Sequence, residues 1–243
     1  METKIKIRKK FVPPGMDILY EDRDIVVIDK SPGLLTVDAT YEKEKTALQL
    51  LTNYVRKGNS ASKLTLYAVH RLDRETSGVL IFAKSKEIRE KFVEQWKEVK
   101  KNYLALAHGS LKTKEGTFES YLAEGENFTV KSVKNPEEGK HAITKYKVIK
   151  ESSKYSLLEI DLLTGRKNQI RVHFSENGHP LAGDTKYGRK KAKGRLGLHA
   201  WNIKFKHPFN KQDMYFETKI PTFFQTFMDS ETKPIEESKP KKS

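Results

Sequence analysis

Residues 70–78 read HRLDRETSG, and residues 79–84 continue as VLIFAK. A histidine, two arginines and two carboxylates thus stand within six residues, directly before a continuous apolar run. An apolar run of this length, preceded by turn residues, is typical of a strand that is buried on both faces. Ionic groups packed beside such a strand form either a structural salt-bridge cluster or a reactive site. The two interpretations differ in the role of Asp73, which is flanked by Arg71 and Arg74: it is either a partner in ion pairs or a reactive carboxylate.

A second polar cluster lies at residues 163–173, LTGRKNQIRVH, where Arg166, Gln169, Arg171 and His173 open a predicted helix over residues 167–177. If Arg171 meets Asp73 across a cleft, its charge keeps the carboxylate ionised, because a nearby arginine lowers an aspartate pKa by about 1–3 units. An ionised aspartate is a usable nucleophile or base. An aspartate among arginines is more often a plain ion pair, so the residues alone leave the choice open.

Working outward from residue 70, the chain shows mostly strand patterns. ILY and DIVVIDK (residues 24–30) predict two strands before it, and Thr46 is a suitable N-cap for a helix. Ser85 caps a second helix, on which Ile88, Phe92 and Trp96 recur at four-residue spacing. Further strands are predicted at NYLALAHG, TKYKVIK, YSLLEIDL, LHAWNIKF and MYFETK. Without repeats or βαβ alternation, the pattern predicts an α+β fold with a mixed, mainly antiparallel sheet.

The charge of the chain points to a polyanionic partner. Lys and Arg number 47 against 32 Asp and Glu, a formal net charge of +15. Residues 186–195, KYGRKKAKGR, hold six basic residues, no acidic residue and two glycines, which is typical of a loop that contacts phosphates. A lysine-rich surface with no specific partner is the alternative. RNA or DNA is the partner class that the distribution of charge favours.

Several classes of function are disfavoured by missing motifs. The chain has no cysteine and no H-E-x-x-H, so we expect no metal site, and without a G-x-G-x-x-G or Walker loop we expect no nucleotide cofactor. HRLD resembles a kinase catalytic loop, but the other kinase motifs are missing. No apolar run approaches the ~20 residues of a membrane span, and no signal peptide is evident, so we expect a cytoplasmic protein.

Four segments in register resemble the RluA-type family of RNA pseudouridine synthases. They are HRLDRETSG, KNYLALAHG, LLTGRKNQIRVHFSENGHPLAGDTKYG and LGLHAWNIKFKHP, and the similarity runs from about residue 17 to residue 225. The resemblance implies an isomerase with flanking helices around a central cleft, which converts uridines of rRNA or tRNA to pseudouridine without a cofactor. It implies a catalytic domain over 18–229, between a basic segment (1–17) and a disordered tail (230–243). We expect a monomer.

The resemblance also implies roles for individual residues. The family's catalytic aspartate falls on Asp73, and the arginine that helps to replace the extruded base falls on Arg71. Tyr103 is implied to pack against the uracil, Arg171 to pair with the catalytic carboxylate, and Leu198 to line the base pocket. We further expect substrate contacts from a set of basic side chains, namely His70, Arg74, Arg166, Arg189, Lys190, Lys191 and Lys193.

This sequence departs from the family pattern in a few places. Glu75 stands where the family often has Asp, and Asn168 where it often has His; both keep a polar side chain. Many relatives carry an S4-type RNA-binding domain before the catalytic domain, whereas 17 residues precede ILYED here. Capture of the RNA is therefore expected to rest on the catalytic domain and its basic loops.

Two rival functions remain at this stage. A non-catalytic RNA-binding protein or chaperone on the same fold would keep the basic loops but would not need Asp73, Tyr103 and Arg171 together. A hydrolase of nucleic-acid glycosidic bonds would need an activated water and usually a second carboxylate. Asp73 and Glu75 stand two residues apart and would point to opposite sides of an extended segment, which disfavours such a pair.

Overall fold

The computed structural model describes residues 12–39, 45–59, 61–188, 192 and 194–229. The chain divides into two compact units. The first unit comprises the chain through Tyr103 together with Leu198–Lys219. The second unit comprises Leu104–Gly197 and the chain from Ile220 onward. The division into two units does not test the predicted domain limits at residues 17/18 and 229/230, which stay predictions.

In the first unit, a sheet carries the strand order β1-β2-β4-β10, with β3 also paired to β4 and β11 to β10. All of these pairs are antiparallel except β4 with β10, which is parallel. The strands are β1 (Met16–Glu21), β2 (Ile25–Lys30), β3 (Tyr67–Ala68), β4 (Ser77–Ala83), β10 (Leu198–Lys206) and β11 (Asp213–Glu217).

The apolar run that follows the HRLDRETSG segment becomes β4, and every residue of that strand is buried. The buried strand β2 pairs with it from Ile25↔Ala83 to Lys30↔Gly78. Burial on both faces explains why the sequence of β4 is continuously apolar rather than alternating. The strand that follows the ionic residues is therefore part of the buried core, as the sequence predicts.

Two helices belong to the first unit, α1 (Ala47–Val55) and α2 (Lys86–Gln95). The side chains of Thr46 and Ser85 cap them by accepting hydrogen bonds from the third residue of each helix, as predicted. Ile88 and Phe92 pack into the core beside β4. Trp96 differs from the prediction, because it opens a short 3-10 turn after α2 and is only half-buried.

The second unit has the strand order β5-β9-β8-β6-β7, and β5 enters it at Leu104. The pairs β6/β7, β6/β8 and β8/β9 are antiparallel. Its strands are β5 (Lys100–His108), β6 (Glu115–Glu124), β7 (Val130–Val133), β8 (Lys140–Glu151) and β9 (Tyr155–Leu162). Its helices are α3 (Gln169–Glu176) and α4 (Thr222–Asp229).

The expected fold class is confirmed: both units combine helices with mainly antiparallel strands. In β9 the residues Leu158, Ile160 and Leu162 are buried while Glu159 and Asp161 are partly exposed, as the alternation predicts. Strands β6 and β7 and helix α4 were not predicted from the sequence. Among the helices that the structure describes, none is long and apolar enough to cross a membrane.

Candidate active site

Asp73 lies in a turn immediately before β4. The amide of Thr76 donates to the Asp73 carbonyl at 3.1 Å, which closes the turn. Leu72 is buried beneath it, Asp73 is partly buried, and Arg71, Arg74 and Glu75 are exposed. The Asp73 carboxylate is therefore carried by a turn that is anchored in the core at one end. We call residues 72–75 the Asp73 turn.

The loop after β2 holds the Asp73 turn on both sides of the aspartate. Thr36 Oγ1 donates to the Leu72 carbonyl at 2.9 Å and accepts from the Leu72 amide at 3.1 Å. On the other side, the Gly33 amide donates to the Arg74 carbonyl at 2.9 Å, and Arg74 Nε donates to the Gly33 carbonyl at 3.0 Å. Four hydrogen bonds thus fix the backbone positions that flank Asp73.

Lys30, the last residue of β2, is fully buried and joins the same arrangement. Its ammonium donates to the carbonyls of Ser31 at 3.0 Å, Leu34 at 2.8 Å and Arg74 at 3.1 Å. Three acceptors are what a buried ammonium requires, because an unpaired buried charge is very costly. Lys30 was not selected from the sequence, although a lysine that ends a buried strand directly before a Ser-Pro-Gly turn is a signal that could have drawn attention.

Tyr103 belongs to the same unit as Asp73 and is buried, with 7% of its surface exposed. Burial, and after it the negative charge of Asp73, raises the pKa of Tyr103 well above the usual phenol value. The phenol is therefore neutral at physiological pH. The structure thus brings two of the residues implied by the family resemblance, Asp73 and Tyr103, within electrostatic reach of each other.

His70 opens the ionic segment and accepts a hydrogen bond from the Ile81 amide through Nε2 at 3.2 Å. Its ring lies 5.1 Å from the Trp96 ring, and Lys101 Nζ lies 5.1 Å from the centroid of the same Trp96 ring. Burial, followed by the charge of Lys101, lowers the pKa of His70 to about 3. His70 is therefore a neutral acceptor that fixes the start of the segment, and its predicted substrate contact stays a prediction.

The C-terminal end of the ionic segment is tied to β10. Ser77 Oγ lies 2.7 Å from His199 Nδ1, and His199 Nε2 lies 2.7 Å from Thr218 Oγ1. Thr218 donates its own proton to a carbonyl, so it accepts from Nε2 and leaves Nδ1 to accept from Ser77. Gly78 has φ +115°, and a Cβ there would lie 2.1 Å from the Ala200 carbonyl oxygen. Glycine is required at this close approach of the two strands.

In the second unit, Arg171 on α3 forms a buried, two-point ion pair with Asp184. Arg171 Nε and Nη2 donate to the two Asp184 carboxylate oxygens at 2.8 and 2.9 Å. Burial alone would raise the pKa of Asp184, but the Arg171 guanidinium and the amides of Lys186 and Tyr187 outweigh it and lower the pKa. Asp184 was not predicted from the sequence. The expected pairing of Arg171 with Asp73 joins residues of the two units and stays a prediction.

The start of α3 differs from the prediction, since the helix begins at Gln169 and Arg166 lies in the turn before it. Asn168 there has a left-handed backbone, with φ 54°. The side-chain oxygen Oε1 of Gln169 accepts from the Arg166 amide at 2.9 Å, which satisfies a backbone amide in the turn before the helix. The Arg166 side chain is exposed and donates through Nε to the His141 carbonyl at 2.9 Å.

The remaining predicted site residues are divided between described and undescribed parts of the chain. Leu198 is buried as the first residue of β10, and its contact with a base stays a prediction. Four basic residues of the 186–195 segment lie outside the described residues: Arg189, Lys190, Lys191 and Lys193. The expected disordered tail, 230–243, also lies outside them.

Asp22, Asp24 and His207 place one donor atom each within 4.8 Å of one another, which is a spacing that metal ligands can have. The Nδ1 atom of His207 accepts from the amides of Phe209 and Asn210, both at 3.3 Å. The ring proton of the neutral imidazole is therefore on Nε2, 3.0 Å from a carboxylate oxygen of Asp22. A metal would need that nitrogen unprotonated, so the three residues are better described as a structural contact.

Comparison with known proteins identifies the family of the chain. The family model described as RNA pseudouridylate synthase matches residues 24–176. YjbO of Bacillus subtilis, described as an uncharacterized RNA pseudouridine synthase, is 33% identical over 213 residues, which cover 86% of this chain and 74% of the relative. Ribosomal large subunit pseudouridine synthase D of Neisseria meningitidis is 34% identical over 224 residues, which cover 86% of this chain and 59% of the relative.

Two solved human structures share the fold, both with a TM-score of 0.70. RNA pseudouridylate synthase domain containing 4 is 25% identical and matches over 86% of this chain and 90% of its own. RNA pseudouridylate synthase domain containing 1 is 26% identical and matches over 90% of this chain and 88% of its own. The chain belongs to the RNA pseudouridine synthase family, whose members are isomerases, as the resemblance of its motifs predicted.

Proposed function

We propose that the protein converts specific uridines of structured RNA to pseudouridine, with Asp73 as its single catalytic carboxylate. The observation that carries this proposal is the way the Asp73 turn is held. Hydrogen bonds fix the backbone on both sides of a partly buried aspartate, and a buried, neutral tyrosine lies within reach of its charge. A reactive group has to be positioned by its surroundings in this manner to be efficient.

The reaction breaks the N–C glycosidic bond of uridine, turns the base and rejoins it to the sugar through C5. C5 loses its proton and the released ring nitrogen gains one, so the product is an isomer of uridine. No oxidation or reduction occurs, so the chain's own side chains are sufficient for the chemistry. Asp73 either adds to the base, attacks the sugar or abstracts a sugar proton, and these three routes remain open. The target base must first leave its stack, at a cost of a few kcal/mol that contacts to phosphates offset.

We assign the other residues roles around this carboxylate. Tyr103 packs against the uracil, Leu198 lines the base pocket, Arg71 takes the place of the extruded base, and Arg171 pairs with Asp73. The exposed positions of Arg71 and Arg74 suit contacts with RNA phosphates. The basic side chains that we expect to bind RNA with them are Arg166, Arg189, Lys190, Lys191 and Lys193, and we propose a further contact from the uncharged His70.

The substrate is proposed to be ribosomal or transfer RNA. Relatives named ribosomal large subunit pseudouridine synthase D favour ribosomal RNA. The net charge of +15 supplies long-range attraction to either polyanion. We propose that the protein acts as a monomer in the cytoplasm, where both kinds of RNA are accessible.

The test compares Asp73→Asn with Glu75→Gln, a neutralised neighbour that is more than half exposed in the same turn. Cellular RNA from a strain lacking the gene, complemented by each variant, is labelled with carbodiimide and sequenced. We expect Glu75→Gln to restore the missing pseudouridine and Asp73→Asn to leave it missing. Restoration by Asp73→Asn would overturn the catalytic role and favour a non-catalytic RNA-binding protein.

Stability measured on the same variants separates a catalytic loss from an unfolded protein. Because Arg71 and Arg74 are exposed, ion pairs of Asp73 with them are worth less than about 1 kcal/mol. The buried Arg171 keeps Asp184 as its partner when Asp73 is neutralised, so its charge stays compensated. Asparagine also keeps the shape of the side chain. We therefore expect Asp73→Asn to shift the melting temperature by no more than a few degrees. A larger shift would mean that Asp73 acts mainly as a structural ion pair.

A further inference from the structure

Phe128 lies in the loop between β6 and β7 of the second unit, and 75% of its surface is exposed. It is more exposed than any other large apolar side chain among the residues that the structure describes. Phenylalanine is normally removed from water in a folded protein, since burial of its ring is strongly favourable. A single exposed apolar side chain is common on protein surfaces, so the exposure of Phe128 indicates a binding site only together with its surroundings.

The backbone at this ring is strained. Asn127 and Phe128 both adopt left-handed conformations, with φ 56° and 55°. Positive φ at both central residues is typical of a type I′ hairpin turn, in which asparagine suits the first position and glycine is usual at the second. The bulky side chain of Phe128 is therefore the unfavourable one at this turn. The loop is closed around them by the Gly125 amide, which donates to the Thr129 carbonyl at 2.7 Å, and by Thr129 Oγ1, which donates to the Glu126 carbonyl at 2.7 Å. The surrounding hydrogen bonds thus keep the ring in an exposed position, as is common where strain serves binding.

Two lysines contact Phe128, Lys167 at its ring and Lys186 at its backbone carbonyl. Lys167 Nζ lies 5.2 Å from the ring centroid and also bonds to Glu124, so its charge is held beside the aromatic face. Lys186 Nζ donates to the Phe128 carbonyl at 2.7 Å. Glu124 and Glu126 are exposed in the same loop and reduce the local positive charge without removing the lysines. An exposed ring flanked by cations is the combination that binds single-stranded nucleic acid.

The Phe128 loop is also connected to the residues around Arg171. The Val130 amide donates to the Tyr187 hydroxyl at 2.9 Å, and Asn168 Nδ2 donates to the same hydroxyl at 3.0 Å. The guanidinium carbon of Arg171 lies 5.1 Å from the Tyr187 ring. Lys186 and Tyr187 open the basic segment 186–195 that the sequence analysis selected for RNA contacts. The exposed ring and the first two residues of the basic segment, Lys186 and Tyr187, therefore lie close together.

We propose that Phe128 is a stacking platform for an unpaired base of the substrate RNA, with Lys167 and Lys186 at the adjoining phosphates. This inference rests on the proposed function, because it takes the ligand to be the RNA on which the enzyme acts. Every base has a flat aromatic face, so such a platform accepts any base and contributes affinity rather than sequence discrimination.

The first test measures binding of a 5′-fluorescein-labelled 12-residue oligouridylate by fluorescence anisotropy. We expect Phe128→Ala to weaken binding roughly 5- to 100-fold and Phe128→Trp to keep it near the wild-type value. The matched control is Phe209→Ala. The Phe209 ring is also exposed, at 63%, and also lies beside a lysine, since Lys91 Nζ is 5.4 Å from its centroid. Unchanged affinity for Phe128→Ala, or an equal loss for Phe209→Ala, would overturn the proposal.

A spectroscopic test reports stacking directly. The indole emission of Phe128→Trp, after subtraction of the emission of the wild-type chain with Trp96 and Trp201, should be quenched when oligouridylate binds. The corresponding signal of Phe209→Trp should stay unchanged. If RNA binds to Phe128→Trp but the indole emission is not quenched, no base stacks on this ring.

Conversion assays distinguish failure of this inference from failure of the proposed function. On RNA from a strain lacking the gene, Phe128→Ala should raise KM with kcat retained, whereas Asp73→Asn should lose kcat. If the wild-type chain forms no pseudouridine, the proposed function fails whatever the binding data show. If the wild type is active and Phe128→Ala has the same KM, only the platform fails.

Discussion

Replacement of Asp184 by asparagine tests how the structure orients Arg171. Asp184 is 1% exposed and Arg171 is 9% exposed, and the two side chains meet through two hydrogen bonds of 2.8 and 2.9 Å. The same carboxylate accepts the amides of Lys186 and Tyr187, both at 2.9 Å. Asp184 therefore holds the guanidinium and the first turn of the basic segment at once.

The size of the effect follows from burial. Removing one partner of a buried ion pair costs about 3–5 kcal/mol, because the remaining charge is left without compensation. Asparagine keeps one carbonyl oxygen for the backbone amides, so we expect a loss near the lower end, about 3 kcal/mol. Asp213→Asn is the matched control: its pair with Lys206 spans 3.4 Å with both side chains more than half exposed, and such pairs are worth about 0–1 kcal/mol.

The free energy of unfolding is measured in urea for wild type and both variants, with equal slopes required for the comparison. The folded-state pKa of Asp184 is lowered, so its contribution is fully present above the unfolded pKa of about 3.9 and is lost as the pH falls through the folded pKa. The difference between wild type and Asp184→Asn should therefore shrink below about pH 4. A cost under about 1 kcal/mol at pH 7, or a difference that grows in acid, would refute this reasoning.

Two further predictions concern binding of the RNA. Tyr103→Phe should retain RNA affinity because the ring that we propose to pack on the uracil remains, whereas Tyr103→Ala should lose about 1–3 kcal/mol of binding energy; both are measured by titration with RNA from a strain lacking the gene. If both variants bind and convert uridine like wild type, Tyr103 is only a core residue of β5. Neutralising the basic segment should weaken RNA binding and flatten the dependence of log affinity on log salt, and an unchanged slope would contradict it. The alanine variant for that measurement combines Arg189, Lys190, Lys191 and Lys193.

The sequence by itself determined the features that depend on near neighbours. The apolar run 79–83 fixes β4 as a buried strand, because a continuous apolar segment can be stable only where both of its faces are covered. Thr46 and Ser85 mark helix starts, since a cap bonds to an amide three residues away. The order of four motifs identified the family and, through it, pointed to Asp73 and Tyr103, which the structure places in one unit.

Elements stabilised by distant partners were not predictable in the same way. Strands β6 and β7 are polar on their exposed positions and weakly patterned. They pair with each other in a hairpin, and β6 also pairs with the more distant β8, from Leu122↔Lys140 to Glu115↔Lys147. A strand of this kind is stabilised by its cross-strand neighbours rather than by its own sequence. The sequence showed residues 115–133 as polar segments without a clear period.

The tertiary structure alone decided which charged groups meet. The sequence suggested Asp73 as the partner of Arg171, and gave no local signal for Asp184, which stands 13 residues further along in a turn. In the sequence, Lys30 is an ordinary lysine at the end of a strand. In the structure it is buried, and its ammonium donates to the Arg74 carbonyl. A buried charge is tolerated only where the fold supplies partners in the right geometry. That geometry depends on segments brought together by folding, and spacing along the chain does not encode it.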